Sequence, residues 1–189
     1  ATYSLRLTGS GTPLVITGAF NANTSTVIYS GASATIASTT YYNLTIDSDN
    51  GLSPTSGTVT TTNNLSINDG KSLLLGSDLI ASSILGIGNG TLSGGSRTIT
   101  LTGTGSPFSI IGFMQSTSNV VYSGDGATNI GSNTYYDLTV NTTGTLAGNV
   151  TTTNLLTINS GKSLNGDTRT INLTRASGSP FVNNGTFTA

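Results

Sequence analysis

The feature that most limits how this chain can fold is an internal repeat of unequal length. Arg97 to Phe108 reads RTITLTGTGSPF and Arg169 to Phe181 reads RTINLTRASGSPF, while Leu5 to Leu14 opens the chain with LRLTGSGTPL. Leu7, Leu101 and Leu173 thus hold equivalent positions, and the first of the two intervals between them is the longer. Three further blocks follow in the same order. STVIYSG from Ser25 answers SNVVYSG from Ser118, TYYNLTI from Thr40 answers TYYDLTV from Thr134, and NLSINDGKSL from Asn64 answers LLTINSGKSL from Leu155. VNNGTFTA from Val182 answers VITGAFNA from Val15, so a third copy begins.

The surplus of the first copy over the second falls between Lys71 and Arg97 and has the size of one additional coil. A stack held by nearest-neighbour contacts accepts one more coil without disturbing the others, whereas a closed barrel or sandwich does not. In the second copy apolar residues recur at Leu101, Val120, Leu138, Leu156 and Leu173, at intervals of 19, 18, 18 and 17. The pattern predicts an all-β parallel β-helix, a β-solenoid of about ten coils of roughly 18 residues each, expected to wind right-handed. Residues 1–189 then form one solenoid with copies at 1–96 (an extra coil near 73–96), 97–168 and, in part, 169–189.

Local patterning agrees. Thr98-Ile99-Thr100-Leu101 and Thr170-Ile171-Asn172-Leu173 alternate polar and apolar residues, which gives one buried and one solvated face. Ile99, Leu101, Ile171 and Leu173 are expected to point inward. Ser30-Gly31, Asp69-Gly70 and Ser106-Pro107 mark corners.

Composition narrows the function. Only 7% of residues are charged, the net charge is −1, and Ser with Thr make up about a third of the chain. Binding to nucleic acid or an anionic membrane surface calls for clustered Lys and Arg, which this chain lacks. No apolar run approaches the roughly 18 residues of a membrane span. With neither Cys nor His, thiolate and imidazole chemistry is absent, and no cofactor is expected.

STVIYSG, TYYNLTI, the Gly-Lys-Ser-Leu turn and NNGTFTA together resemble the YNLT-type repeats of long bacterial cell-surface proteins, abundant in uncultivated small-genome bacteria. These are similar in outline to filamentous-haemagglutinin-like adhesins. The resemblance covers essentially the whole chain and implies a β-helix at the cell surface acting as stalk, adhesin or fibre.

All seven acidic residues are Asp, and Asp47 and Asp49 are the closest pair. A glycosidase needs two carboxylates facing each other across a cleft, but the counterparts in the second copy are Asn141 and Thr143. No enzyme is expected. Asp47, Asp49 and Asn50 gather oxygen ligands of the kind calcium takes, without the spacing or terminal Glu of the full loop motif. Gly86-Ile87-Gly88-Asn89-Gly90 has the look of a phosphate cradle but no Lys-Ser/Thr after it. Lys71, Lys162, Arg97 and Arg169 are expected at solvated corners and strand starts. Strict alternation puts Tyr42 and Tyr136 inward with Leu44 and Leu138, and leaves Tyr41 and Tyr135 outward as candidate contacts to a ligand or a neighbouring fibre.

The expected function is non-enzymatic: an extracellular or cell-surface rod, a fibre or stalk, that self-associates end to end through open coils or continues in a longer chain. The alternative is an adhesin segment that binds a carbohydrate or another surface ligand.

Overall fold

A computed structural model describes residues 3–52, 57–86 and 89–189. Every strand pairing among the described residues is parallel, and the chain winds as a β-solenoid of about nine turns. With about 4.8 Å between stacked strands the rod is roughly 43 Å long. Each turn contributes up to three short strands, one to each face. A 13-stranded sheet runs from Ser4–Leu7 through Thr26–Tyr29, Thr40–Ile46, Val59–Ile67, Leu79–Ala81, Thr98–Leu101, Asn119–Tyr122, Thr134–Val140 and Val150–Ile158 to Ile171–Leu173. One four-stranded sheet stacks Gly51–Leu52, Ser72–Leu74, Thr91–Ser93 and Gly112–Met114. Another stacks Ala127–Ile130, Thr143–Leu146, Ser163–Asn165 and Thr186–Thr188.

The strands form where apolar and hydroxyl residues alternate. Thr98–Leu101 and Asn119–Tyr122 both alternate half-buried and buried, which puts Ile99, Leu101, Val120 and Tyr122 in a column of apolar side chains inside the coil. Ile171 and Leu173 are only partly buried because they lie on the last described turn, though they pack on the core. Corners need a backbone that reverses quickly. Gly70 and Gly161 turn at φ 68° and 72°, with open space where a Cβ would stand. The demand there is for left-handed φ, which glycine meets without steric cost.

The long strands bend across a corner and serve two faces. Val59–Ile67 carries both Leu79–Ala81 and Ile84–Gly86, and Val150–Ile158 carries both Ile171–Leu173 and Phe181–Asn183. Between these bent strands and the ones below, register shifts at Tyr41/Asn43 and at Tyr135/Asp137.

Register also corrects the column read from spacing. Val120 stacks on Ile99, not Leu101, and Phe181, not Leu173, follows Leu156. The steps from Val120 to Leu138 and from Leu138 to Leu156 have the expected spacing. Those from Ile99 to Val120 and from Leu156 to Phe181 are longer. The added length of the last step includes residues 174–180, a stretch outside the strands. Longer turns are why about nine, not ten, fit the chain. The segment near 73–96 supplies Leu79–Ala81, Ile84–Gly86 and Thr91–Ser93, one strand to each face.

The second copy does not stand directly above the first. The first half of Val59–Ile67 belongs to a column that rises through Leu79, Ile99, Val120, Leu138 and Leu156. Val59 corresponds in sequence to Val150, yet Val150 belongs to a different column, under Ile171. The copies are therefore rotated by one face, a third of a turn. From Thr98 to Ile171 the chain takes eleven face-to-face steps, with the two long strands counted as two faces each, so a copy closes one step short of four turns.

Candidate functional site

Tyr41 and Tyr135, expected outward, are both fully buried at 0% exposure, while Tyr42 and Tyr136 are half-buried. The register shift explains the reversal. Along TYYNLTI the inward positions are Tyr41, Leu44 and Ile46, because the strand turns a corner after Tyr41 and period-2 alternation restarts beyond it. TYYDLTV repeats the pattern at Tyr135, Leu138 and Val140. Neither tyrosine offers its ring to a ligand or a fibre neighbour, so the adhesin alternative loses the contacts named for it.

Each buried tyrosine instead closes a corner with a second one. The Tyr41 hydroxyl donates to the Ala37 carbonyl at 2.8 Å and lies 2.9 Å from the Tyr29 hydroxyl, which accepts from the Ala37 N–H at 3.0 Å. With the Tyr41 proton committed, Tyr29 is the donor between the two rings. The second copy repeats the arrangement: Tyr135 to the Gly131 carbonyl at 2.8 Å, Tyr122 to Tyr135 at 2.9 Å, and the Gly131 N–H to Tyr122 at 2.9 Å. Burial holds all four phenols in their neutral form. It raises Tyr29, Tyr41 and Tyr135 above 10.0 and pushes Tyr122 up to about 12, with the neighbouring phenol further raising Tyr41 and Tyr135. Such groups cannot serve as bases near neutral pH.

Phenylalanines pack beside each dyad. Phe20 lies edge-on to Tyr41 with centroids 5.8 Å apart, and Phe108 and Phe113 lie 6.3 and 6.1 Å from Tyr135. Two surface hollows open next to these phenylalanines, on different sides of the two dyads. One, of about 260 Å³, is lined by Phe20, Asn21, Asn23, Thr40 and Tyr42, with the fully buried Tyr41 behind them. The other, of about 360 Å³, is lined by Phe113, Asn133, Thr134 and Asn149.

The candidate calcium cluster separates into cross-coil links. Asp47 accepts from Arg6 at 3.0 Å on the lower side and from Asn68 at 2.9 Å on the coil above. Asp49 turns to Lys71 at 3.0 Å, and Asn50, at φ 58°, gives its N–H to the Ser72 hydroxyl. The Asn68 hydrogen bond, foremost, with the Arg6 hydrogen bond and the Arg6 and Lys71 charges, holds the Asp47 carboxyl below its usual range against the opposing effect of burial. The buried residue of the segment is Ser48, whose hydroxyl donates to the Gly31 carbonyl, and Thr142 does the same to Gly124 at 2.6 Å. Asn159 donates to Asn141 at 3.1 Å, where the first copy has Asn68 and Asp47. Of the glycine-rich stretch, Ile87 and Gly88 lie outside the described residues. Among the described residues no group of three or more carboxylates is placed to hold a metal ion.

Sequence reasoning missed Tyr29 and Tyr122 as partners of the outward-assigned tyrosines. The available signal was their recurrence in STVIYSG and SNVVYSG, one coil before each Tyr-Tyr pair. No family model matches the chain, and neither the curated proteins nor the solved structures include a match.

Proposed function

We propose that the chain is a non-enzymatic structural rod of the cell exterior, part of a surface fibre or stalk, extended by adding coils at its ends. The observation that supports it is the parallel ladder. It is unbroken from Ser4–Leu7 to Ile171–Leu173, with each strand held by the strands of the coils above and below, so the stack lengthens coil by coil without a change of geometry. The candidate site residues take part in coil-to-coil bonds: Asp47 with Arg6 and Asn68, Asp49 with Lys71, and the buried tyrosines with one another. A hydroxyl-rich surface with little charge keeps such a rod hydrated without directing it to nucleic acid.

Cryo-electron microscopy of the purified protein at several concentrations tests the reading. Rods with an axial repeat near about 4.8 Å that lengthen with concentration are expected. Compact particles that never join, or turnover of a polysaccharide lost on Asp47→Asn, would sink it.

A further inference from the structure

The hollow beside the first tyrosine dyad combines aromatic and amide groups that the stacking of coils does not use. Its deeper wall is aromatic. Half-buried Phe20 lies edge-on to the buried Tyr41 with centroids 5.8 Å apart, and half-buried Tyr42 lines the same hollow. Around them stand the exposed side chains of Asn21, Asn23, Thr40 and Thr62. Thr62 donates its hydroxyl proton to the Tyr41 carbonyl at 3.3 Å and keeps lone pairs to accept with. Among the described residues, the side chains of Asn21, Asn23, Thr40 and Tyr42 make no hydrogen bond within the chain.

The second copy shows that the fold does not require the two amides. Counting back from the first serine of STVIYSG and SNVVYSG, Phe20, Asn21, Ala22 and Asn23 correspond to Phe113, Met114, Gln115 and Ser116. The turn is the same in both. Asn23 and Ser116 hold φ 47° and 48°, and the N–H of Ser25 or Ser118 bonds the carbonyl of Ala22 or Gln115 at 2.9 Å. Left-handed backbone favours asparagine, yet Ser116 adopts it too, and Asn21 lies outside that region. Thr40, Tyr42 and Thr62 recur as Thr134, Tyr136 and Thr153. What the first copy adds is the amide pair, where the second presents an exposed Met114.

Amides and hydroxyls both donate and accept, which matches a ligand whose own hydroxyls do the same. Aromatic rings suit its apolar C–H face. Among the described residues no charged side chain lines the hollow, so nothing there selects an ion. Its volume of about 260 Å³ falls short of the roughly 300–1,000 Å³ of sites for drug-sized molecules and suits a single ring. We propose that this hollow binds one ring of a neutral sugar, with the C–H face against Phe20 and Tyr42 and the hydroxyls on the Asn21 and Asn23 amides. The site lies on the side of the stack, in the first copy and not the second. It gives the rod a saccharide contact that Tyr41 and Tyr135, being buried, do not supply, and it is independent of how the rod extends.

The test titrates methyl glycosides of glucose, galactose, mannose and N-acetylglucosamine into the nitrogen-15-labelled full chain, with uridine and glucuronate as controls. At least one neutral glycoside is expected to saturate with a dissociation constant on the order of millimolar, shifting amide signals of residues 20–23, 40–42 and 62. Asn21→Ala and Asn23→Ala are each expected to weaken it about fivefold. Asn21→Met combined with Asn23→Ser copies the second copy's turn, so it retains the fold and is expected to remove the shifts. Conversely, Met114→Asn, Gln115→Ala and Ser116→Asn together are expected to create a second site of similar affinity, read from shifts around Phe113 and Tyr136. No response to any of the four glycosides, an equal response to uridine or glucuronate, or binding retained in Asn21→Met with Asn23→Ser overturns the proposal.

Discussion

The two complete copies share their motifs but not their lengths or orientations. The first carries one additional turn, Leu79–Ala81, Ile84–Gly86 and Thr91–Ser93. The second is set one face around the rod, so Val59 and its counterpart Val150 belong to different columns. An insertion of one strand per face leaves every later column in place. A repeat one step short of whole turns does not, and it rotates each motif to a new corner. Features that recur once per copy, such as the tyrosine dyads and the loops before Pro107 and Pro180, therefore wind around the rod and do not line one side.

Deleting strands in the wrong number is expected to have the largest effect. Removing Leu73 to Thr91 takes out one whole turn and rejoins Ser72 to Leu92, the chain neighbour of its stacking partner Thr91. The shortened chain is expected to keep its far-UV circular dichroism and a cooperative melt. Removing only Asp78 to Ala81 takes out one face, shifts every later residue by a third of a turn, and is expected to abolish the cooperative transition. Equal tolerance of both deletions would refute the face-by-face account.

Tyrosine truncation should distinguish the two dyads. Tyr135→Ala leaves a cavity against both Phe108 and Phe113, and a cost of about 3–5 kcal/mol is expected by denaturant titration. Tyr41→Ala, with Phe20 alone beside it and a surface hollow adjoining, should cost less. The reverse order would show that the dyads are not graded by their aromatic neighbours.

Alkaline pH tests both dyads together. Their folded pKa values are raised, so their stabilisation is complete below the unfolded value of 10.0 and is lost as pH climbs above it. Each ionising group then contributes a slope of about −1.4 kcal/mol per pH unit. Tyr122→Phe is expected to lessen the slope, as read from melts between pH 9 and 12. Asp47 works in the opposite sense. Its pKa is lowered, so its contribution is present above the usual carboxylate value and fades as pH falls through the folded one. Asp47→Asn, which copies Asn141, should remove that acid sensitivity at a cost of about 1 kcal/mol or less near neutral pH.

The smallest effect concerns a fault common to both copies. Thr61 and Thr152 stack on Tyr41 and Tyr135, and their buried hydroxyls meet no hydrogen-bond partner within the described residues. Thr61→Val and Thr152→Val remove an unsatisfied group at nearly constant shape, and each is expected to stabilise by about 1 kcal/mol. Destabilisation by either would show that the hydroxyl has a partner.

By itself the sequence determined the architecture: repeated blocks in fixed order, alternation in RTITL and RTINL, and a length difference that a stack absorbs as one turn. Those are local or one-dimensional properties, and a solenoid is built from them. The tertiary structure decided what happens at the corners. Whether Tyr41 or Tyr42 points inward depends on where the strand bends. Whether Asp47 and Asp49 share a site or separate depends on Arg6, Asn68 and Lys71 in the coils on either side. Alternation fixes a side chain's face only while the strand stays straight, and a corner resets it according to what the neighbouring coil presents.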